Sequence, residues 1–240
     1  MCSNVIKKNQ HLNRMITNFT IFGERRTGTN YLLKCLQTNL KIPFTGEYGY
    51  KHWYIQDIEP RGRKNTTTDT EMNRSIHDAD HTLFVIIIRN PHDWVSDMKN
   101  KPWHMPECDC SSTFNFIRKK HVSYETKKSH DSWSFDPITK NYFIEEADNL
   151  IDLRNKKHEH LYALRYHVKN YFIIRQERLL EDVEQLIRQF GLETKYDKVK
   201  MEGYRPPTKY PIGKPAIDFI KQNLHNSIDT MFYPEYCVLK

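Results

Sequence analysis

Residues 15–40 read MITNFTIFGERRTGTNYLLKCLQTNL, and three parts of one structural unit follow each other directly in them. Residues 15–22 have the β-branched and aromatic content of a strand, which ends at Gly23. From Asn30 to Leu40 the leucines fall at 32, 36 and 40, the i, i+4, i+8 spacing of a helix face. Between strand and helix lies Gly23-Glu24-Arg25-Arg26-Thr27-Gly28-Thr29-Asn30. A tight turn that opens a helix offers successive backbone N–H groups and the positive helix end to an anion, so this segment is expected to cradle a phosphate.

Two later stretches repeat the unit. Thr82 to Ile88, TLFVIII, is the continuous apolar run of a parallel strand covered on both faces, and Asn90-Pro91 turns it into a helix through Trp94 and Met98. Tyr171 to Ile174 predicts a third strand, followed by a helix from Leu179 to Phe190 with Gly191 as its left-handed cap. Repeated strand–turn–helix units imply an α/β fold with a central parallel β-sheet flanked by helices, whose ligands sit at the carboxyl ends of the strands. A long charged helix is expected over residues 145–168, and a closing helix over Pro215 to Met231 with proline in its first turn. After a polar extension over residues 1–14, residues 15–240 are expected to form one domain, with loop-rich insertions at 54–80 and 108–143. The second insertion carries Phe114, Phe116, Tyr124, Trp133, Phe135, Tyr142 and Phe143, which either cover a pocket or pack the loop onto the sheet.

Composition narrows the class of protein. With 38% hydrophobic and 28% charged residues, the chain is globular rather than disordered, and a mean hydropathy of −0.78 places long polar segments on its surface. No apolar run approaches the ~20 residues of a membrane span, and MCSNVIKKNQHLNR lacks the apolar stretch of a signal peptide, so a cytoplasmic protein is expected. Five scattered cysteines point the same way, to a reducing compartment. The net charge of +7 favours an anionic partner. Because the basic residues are spread along the chain, a dedicated nucleic-acid surface is the weaker reading.

The glycine spacing from 23 to 28 is that of a Walker A loop, but Thr29-Asn30 stands where that loop has Lys-Ser/Thr. A nucleoside triphosphatase needs that lysine on its phosphates and that hydroxyl on magnesium. What remains is an anion cradle with Arg25 and Arg26 on its rim.

Arg26-Thr27-Gly28-Thr29-Asn30-Tyr31 resembles the Lys/Arg-Ser-Gly-Thr-Thr-Trp loop of sulfotransferases that use 3′-phosphoadenosine-5′-phosphosulfate (PAPS). Ile86 to Ser96, IIIRNPHDWVS, is similar to the strand-to-helix segment that binds the cofactor's 3′-phosphate in that family. The resemblance implies a P-loop-like, nucleotide kinase-like sulfotransferase fold, closer to the carbohydrate-type than to the cytosolic steroid and phenol-type members. It implies that Arg26 to Asn30 hold the 5′-phosphate, with Arg25 beside them, and that Tyr31 lies near the adenine. Arg89 and a serine eight residues on would hold the 3′-phosphate. Here Ser96 stands at plus seven and Asp97 at plus eight, and one residue turns a helical side chain by ~100°. The family's glycine-rich tail motif is missing, and Tyr204 to Lys214, with Lys209 and Lys214, is the segment available to replace it.

Sulfuryl transfer needs an in-line hydroxyl, a base for its proton and positive charge on the leaving oxygen. By resemblance His52 in Tyr48-Gly49-Tyr50-Lys51-His52-Trp53 is the base, Glu47 the runner-up, and Lys51 or Arg26 the group that stabilises the departing phosphate of the product, PAP. No metal is expected. His104, Cys108 and Cys110 offer only three zinc ligands, and no second pair lies nearby. The leading expectation is transfer of a sulfuryl group from PAPS to a hydroxyl of a carbohydrate or other small acceptor. Its rivals are a nucleotide kinase with a degenerate loop and a non-catalytic protein that binds sulfated glycans or nucleic acid.

Overall fold

The structure, a computed structural model, describes residues 16–48, 51–52, 79–102, 111–123, 145–204 and 210–237. Three strands, β1 (Asn18–Gly23), β2 (Thr82–Ile88) and β5 (Asn170–Arg175), form a parallel sheet in the order β1-β2-β5. Their register pairs Gly23 with Ile87 and Ile88 with Arg175, so the loops that follow all three strands emerge along one edge. On the other side of β1, residues 43–45 add a short parallel bridge, with Phe19 N–H bonded to Pro43 and Thr45 N–H to Phe19. The chain therefore leaves β1 for one side and later returns to the other. That reversal opens a crevice at the carboxyl end of β1.

Every residue of β2 is buried, as its unbroken apolar run requires. One sheet face, with Phe19, Ile21, Leu83, Val85 and Ile87, packs on α1 (Thr29–Asn39) through Leu32 and Leu36 and on α5 (Leu179–Phe190) through Val183 and Leu186. The opposite face, with Phe22, Phe84, Ile86 and Ile88, packs on Leu161, Leu164 and Ile228. A third cluster joins α2 (Pro91–Asn100), α3 (Thr113–Arg118), α4 (Leu150–Ala163) and α6 (Lys214–Asn223) around Trp94, Phe116, Leu153 and Ile220. Phe114 and Phe116 of the aromatic insertion thus pack a helix onto this cluster, and its other aromatics lie outside the described residues.

Two expected helices are shorter than the sequence pattern suggests. Residues 145–147 form a strand, β4, antiparallel to β3 (His121–Ser123), and the helix starts only at Leu150. Asn149 sets that start, since its side-chain oxygen accepts from the N–H groups of Ile151 and Asp152. The closing helix is two helices, α6 and α7 (Ser227–Phe232), because Asn226 caps the second by accepting from Asp229 N–H. Asn223, His225 and Asn226 meanwhile hydrogen-bond Asn155 and so hold the break in place. Gly191 does adopt the left-handed cap expected of it, at φ 59°. No helix among the described residues is long and apolar enough to cross a membrane.

Candidate functional site

The loop between β1 and α1 has its carbonyls tied down. Glu24 C=O accepts from the Thr27 hydroxyl at 2.6 Å, Arg25 C=O from the Trp94 indole at 2.8 Å, and Arg26 C=O from Arg89 Nη1 at 2.9 Å. Positive φ at Arg26 (68°) and Gly28 (93°) alternates the backbone hand, the conformation that gathers N–H groups into a nest. The first helical bond of α1 runs from Leu32 N–H to Gly28 C=O, so the N–H groups of Thr29, Asn30 and Tyr31 precede the ladder. No side chain caps that end and no acidic residue sits in its first turn, which leaves the positive helix end unneutralised from within the helix.

Gly23 is required by space and Gly28 by torsion. A Cβ on Gly23 would stand 2.6 Å from Ile87 C=O, and one on Gly28 would stand 2.9 Å from the Gln176 side chain. The loop is therefore wedged between β2 and the turn after β5.

Glu24 anchors it from below. Its carboxylate accepts from Arg25 N–H at 2.6 Å and pairs with Lys157 of α4 at 2.9 Å. Burial raises its pKa, but Lys157 and Arg25 outweigh that and hold it at about 2. Lys157 also donates to His52 C=O at 2.9 Å, so one ammonium ties the loop between β1 and α1 to the Lys51-His52 turn. The sequence pattern concealed this role, because Lys157 lies on a face of α4 where Leu150, Leu153 and Leu161 call for an apolar neighbour. The signal lay in that stripe, which carries Arg154, Lys157 and His158 as well, all buried.

The Lys51-His52 turn sits beside the loop, and a small cleft is lined by Gly23, Glu24, Lys51, His52, Lys157 and His160. Lys51 Nζ bonds to the Asn30 side chain at the start of α1. His52 Nδ1 stands 2.9 Å from Gly23 C=O. A carbonyl only accepts, so in the neutral ring the proton sits on Nδ1 and the lone pair on Nε2. Burial lowers the His52 pKa to about 3, with Arg25 and Lys51 adding to the effect, so the ring is neutral at physiological pH and weakly basic. Glu47, the runner-up base, is exposed on the preceding turn.

Arg89 follows directly on β2 and is 1% exposed. Asp97, not Ser96, faces it: Asp97 Oδ2 accepts from Arg89 Nη1 and lies 3.7 Å from Arg26 Nη2. The Ser96 hydroxyl turns away and donates to Tyr210 C=O at 3.2 Å, as the ~100° step between neighbouring helical residues requires. Arg89 Nε and Nη2 are buried and have no acceptor among the described residues.

Tyr31 packs on Tyr204, ring centroids 5.0 Å apart, on the flank of the loop. Lys214 pairs with Asp218 on an exposed helix face and stands apart from the site, and Lys209 lies outside the described residues. His104, Cys108 and Cys110 lie outside them too, and among the described residues no group of three or more histidine, cysteine or acidic side chains is placed to hold a metal ion. No family model, curated protein or solved structure matches the chain.

Proposed function

We propose that the chain is a sulfotransferase that moves a sulfuryl group from an adenosine 5′-phosphosulfate donor, of which PAPS is the form the resemblance implies, to an acceptor hydroxyl. The observation that carries this reading is the loop from Glu24 to Asn30, an anion nest at a helix N-terminus that lacks the lysine and hydroxyl a triphosphatase uses. In this reading the loop N–H groups and Arg26 hold the donor's 5′-phosphate. Lys51, fixed on Asn30, faces the oxygen that leaves.

His52 Nε2 takes the proton from the acceptor hydroxyl as its oxygen bonds to sulfur. The bond from sulfur to the bridging phosphate oxygen breaks, and the electron pair leaves with the nucleotide. A ring with a pKa near 3 is a weak base, but an anionic donor against the loop raises its proton affinity. That weakness favours one second reading, a module that holds the nucleotide without turning it over.

Transfer of radiolabelled sulfate from PAPS and from its 3′-dephospho form to a panel of sugars and phenols separates the two. The enzyme reading predicts labelled product, and a loss of about 10²–10⁴-fold in kcat for His52→Gln at unchanged donor affinity. A protein that binds donor but labels no acceptor is the binding module.

A further inference from the structure

The group next to the phosphate loop is a mixed site of donors and an acceptor. Arg89 reaches the loop at Arg26 C=O and places Asp97 against it, while its Nε and Nη2 stay buried without acceptors among the described residues. Asp97 is 15% exposed, and the Arg26 guanidinium flanks it at 3.7 Å. A phosphate offers only acceptors and negative charge. It would suit the two Arg89 nitrogens that lack an acceptor among the described residues but would stand against the Asp97 carboxylate, which also accepts only. A hydroxyl suits both, because it accepts from Arg89 and donates to Asp97. Dinucleotide sites show the same choice, in which an acidic residue selects a ribose hydroxyl and an arginine admits a phosphate.

We propose that Asp97 sets the donor's chemical class: the subsite at Arg89 takes a free ribose hydroxyl, and the chain prefers nucleoside 5′-phosphates without a 3′-phosphate. This rests on the reading of residues 24–30 as the 5′-phosphate site. Ser96 cannot relieve the repulsion, since its hydroxyl is engaged by Tyr210 C=O.

The test is calorimetric titration of the full chain with 5′-AMP and with PAP, on the wild type, Asp97→Ser and Asp97→Asn. The melting temperature of each variant without ligand checks that it folds. The wild type is expected to bind 5′-AMP about tenfold or more tightly than PAP, and both variants to gain about tenfold for PAP. Asp97→Asn keeps the shape of the side chain and removes its charge, so a gain there assigns the effect to repulsion. PAP bound as tightly as 5′-AMP or tighter by the wild type overturns the inference and leaves the sulfuryl-transfer reading standing. Binding of neither nucleotide overturns both.

Discussion

Arg89 and Arg154 are both shut away from solvent, and they do opposite things. Arg154 is braced by an acid: Nε and Nη2 grip the two oxygens of Asp229 at 2.7 Å each, Nη2 also reaches Arg89 C=O, the guanidinium lies 4.9 Å from the centroid of the Trp94 ring, and Nη1 alone lacks an acceptor among the described residues. Asn226 and His158 complete the shell around Asp229. Arg89 makes one bond to a loop carbonyl and one to Asp97, and two of its nitrogens have no acceptor among the described residues. Burial and pairing with an acid are common to both, so neither feature marks a binding group. What sets Arg89 apart is its bond to the backbone nest at Arg26 C=O.

The comparison breaks most visibly at Asp229. Replacing it with alanine leaves Arg154 buried without its acidic partner, and urea unfolding is expected to show a loss of about 3–5 kcal/mol. A loss below ~1 kcal/mol would mean that the brace is dispensable and that the two arginines are not of different kinds.

Glu24 comes next, since its pairing with Lys157 holds the loop to α4. Its folded pKa of about 2 lies below its usual value of 4.5. The group with the depressed pKa contributes stability above the unfolded value and loses it as the pH falls through the folded one, here between about 4.5 and 2. Glu24→Gln is expected to be less stable than the wild type by about 3 kcal/mol at pH 7, with the gap closing as the pH approaches 2. Denaturation at several pH values measures that gap directly. A constant gap would show that the carboxylate charge is not what anchors the loop.

The smallest effect on stability is expected at Gly28. Alanine there meets a φ of 93° and the Gln176 side chain, at a cost of about 1–2 kcal/mol. The same change disturbs the nest, so nucleotide binding is expected to fall far more than stability does. Equal losses in both would place the loop with the structural brace.

The sheet was legible because its signals are local. The seven apolar residues of β2 and the leucine spacing of α1 specify burial and period without reference to the rest of the chain. The turn between β1 and α1 was legible for the same reason, as two glycines and a strand–helix junction lie within one window. The breaks at Asn149 and Asn226 were not, although each is set by a single capping side chain, because charged residues on either side continue a helical pattern through them. The partners of Arg89 and Glu24 depend on distant elements. Which of Ser96 and Asp97 faces Arg89 turns on a fraction of a helical turn, and the link from Glu24 to Lys157 spans most of the chain.

The most direct test of the 5′-phosphate site is the melting temperature with 5′-AMP beside adenosine, which differs from it only by that phosphate. At a hundred times its dissociation constant a ligand adds about 2.7 kcal/mol, a rise of roughly 5–10 °C for a chain of this size. The account predicts that rise with 5′-AMP, almost none with adenosine, and its disappearance in Gly28→Ala. Equal shifts with both ligands, or an undiminished shift in the variant, would contradict it.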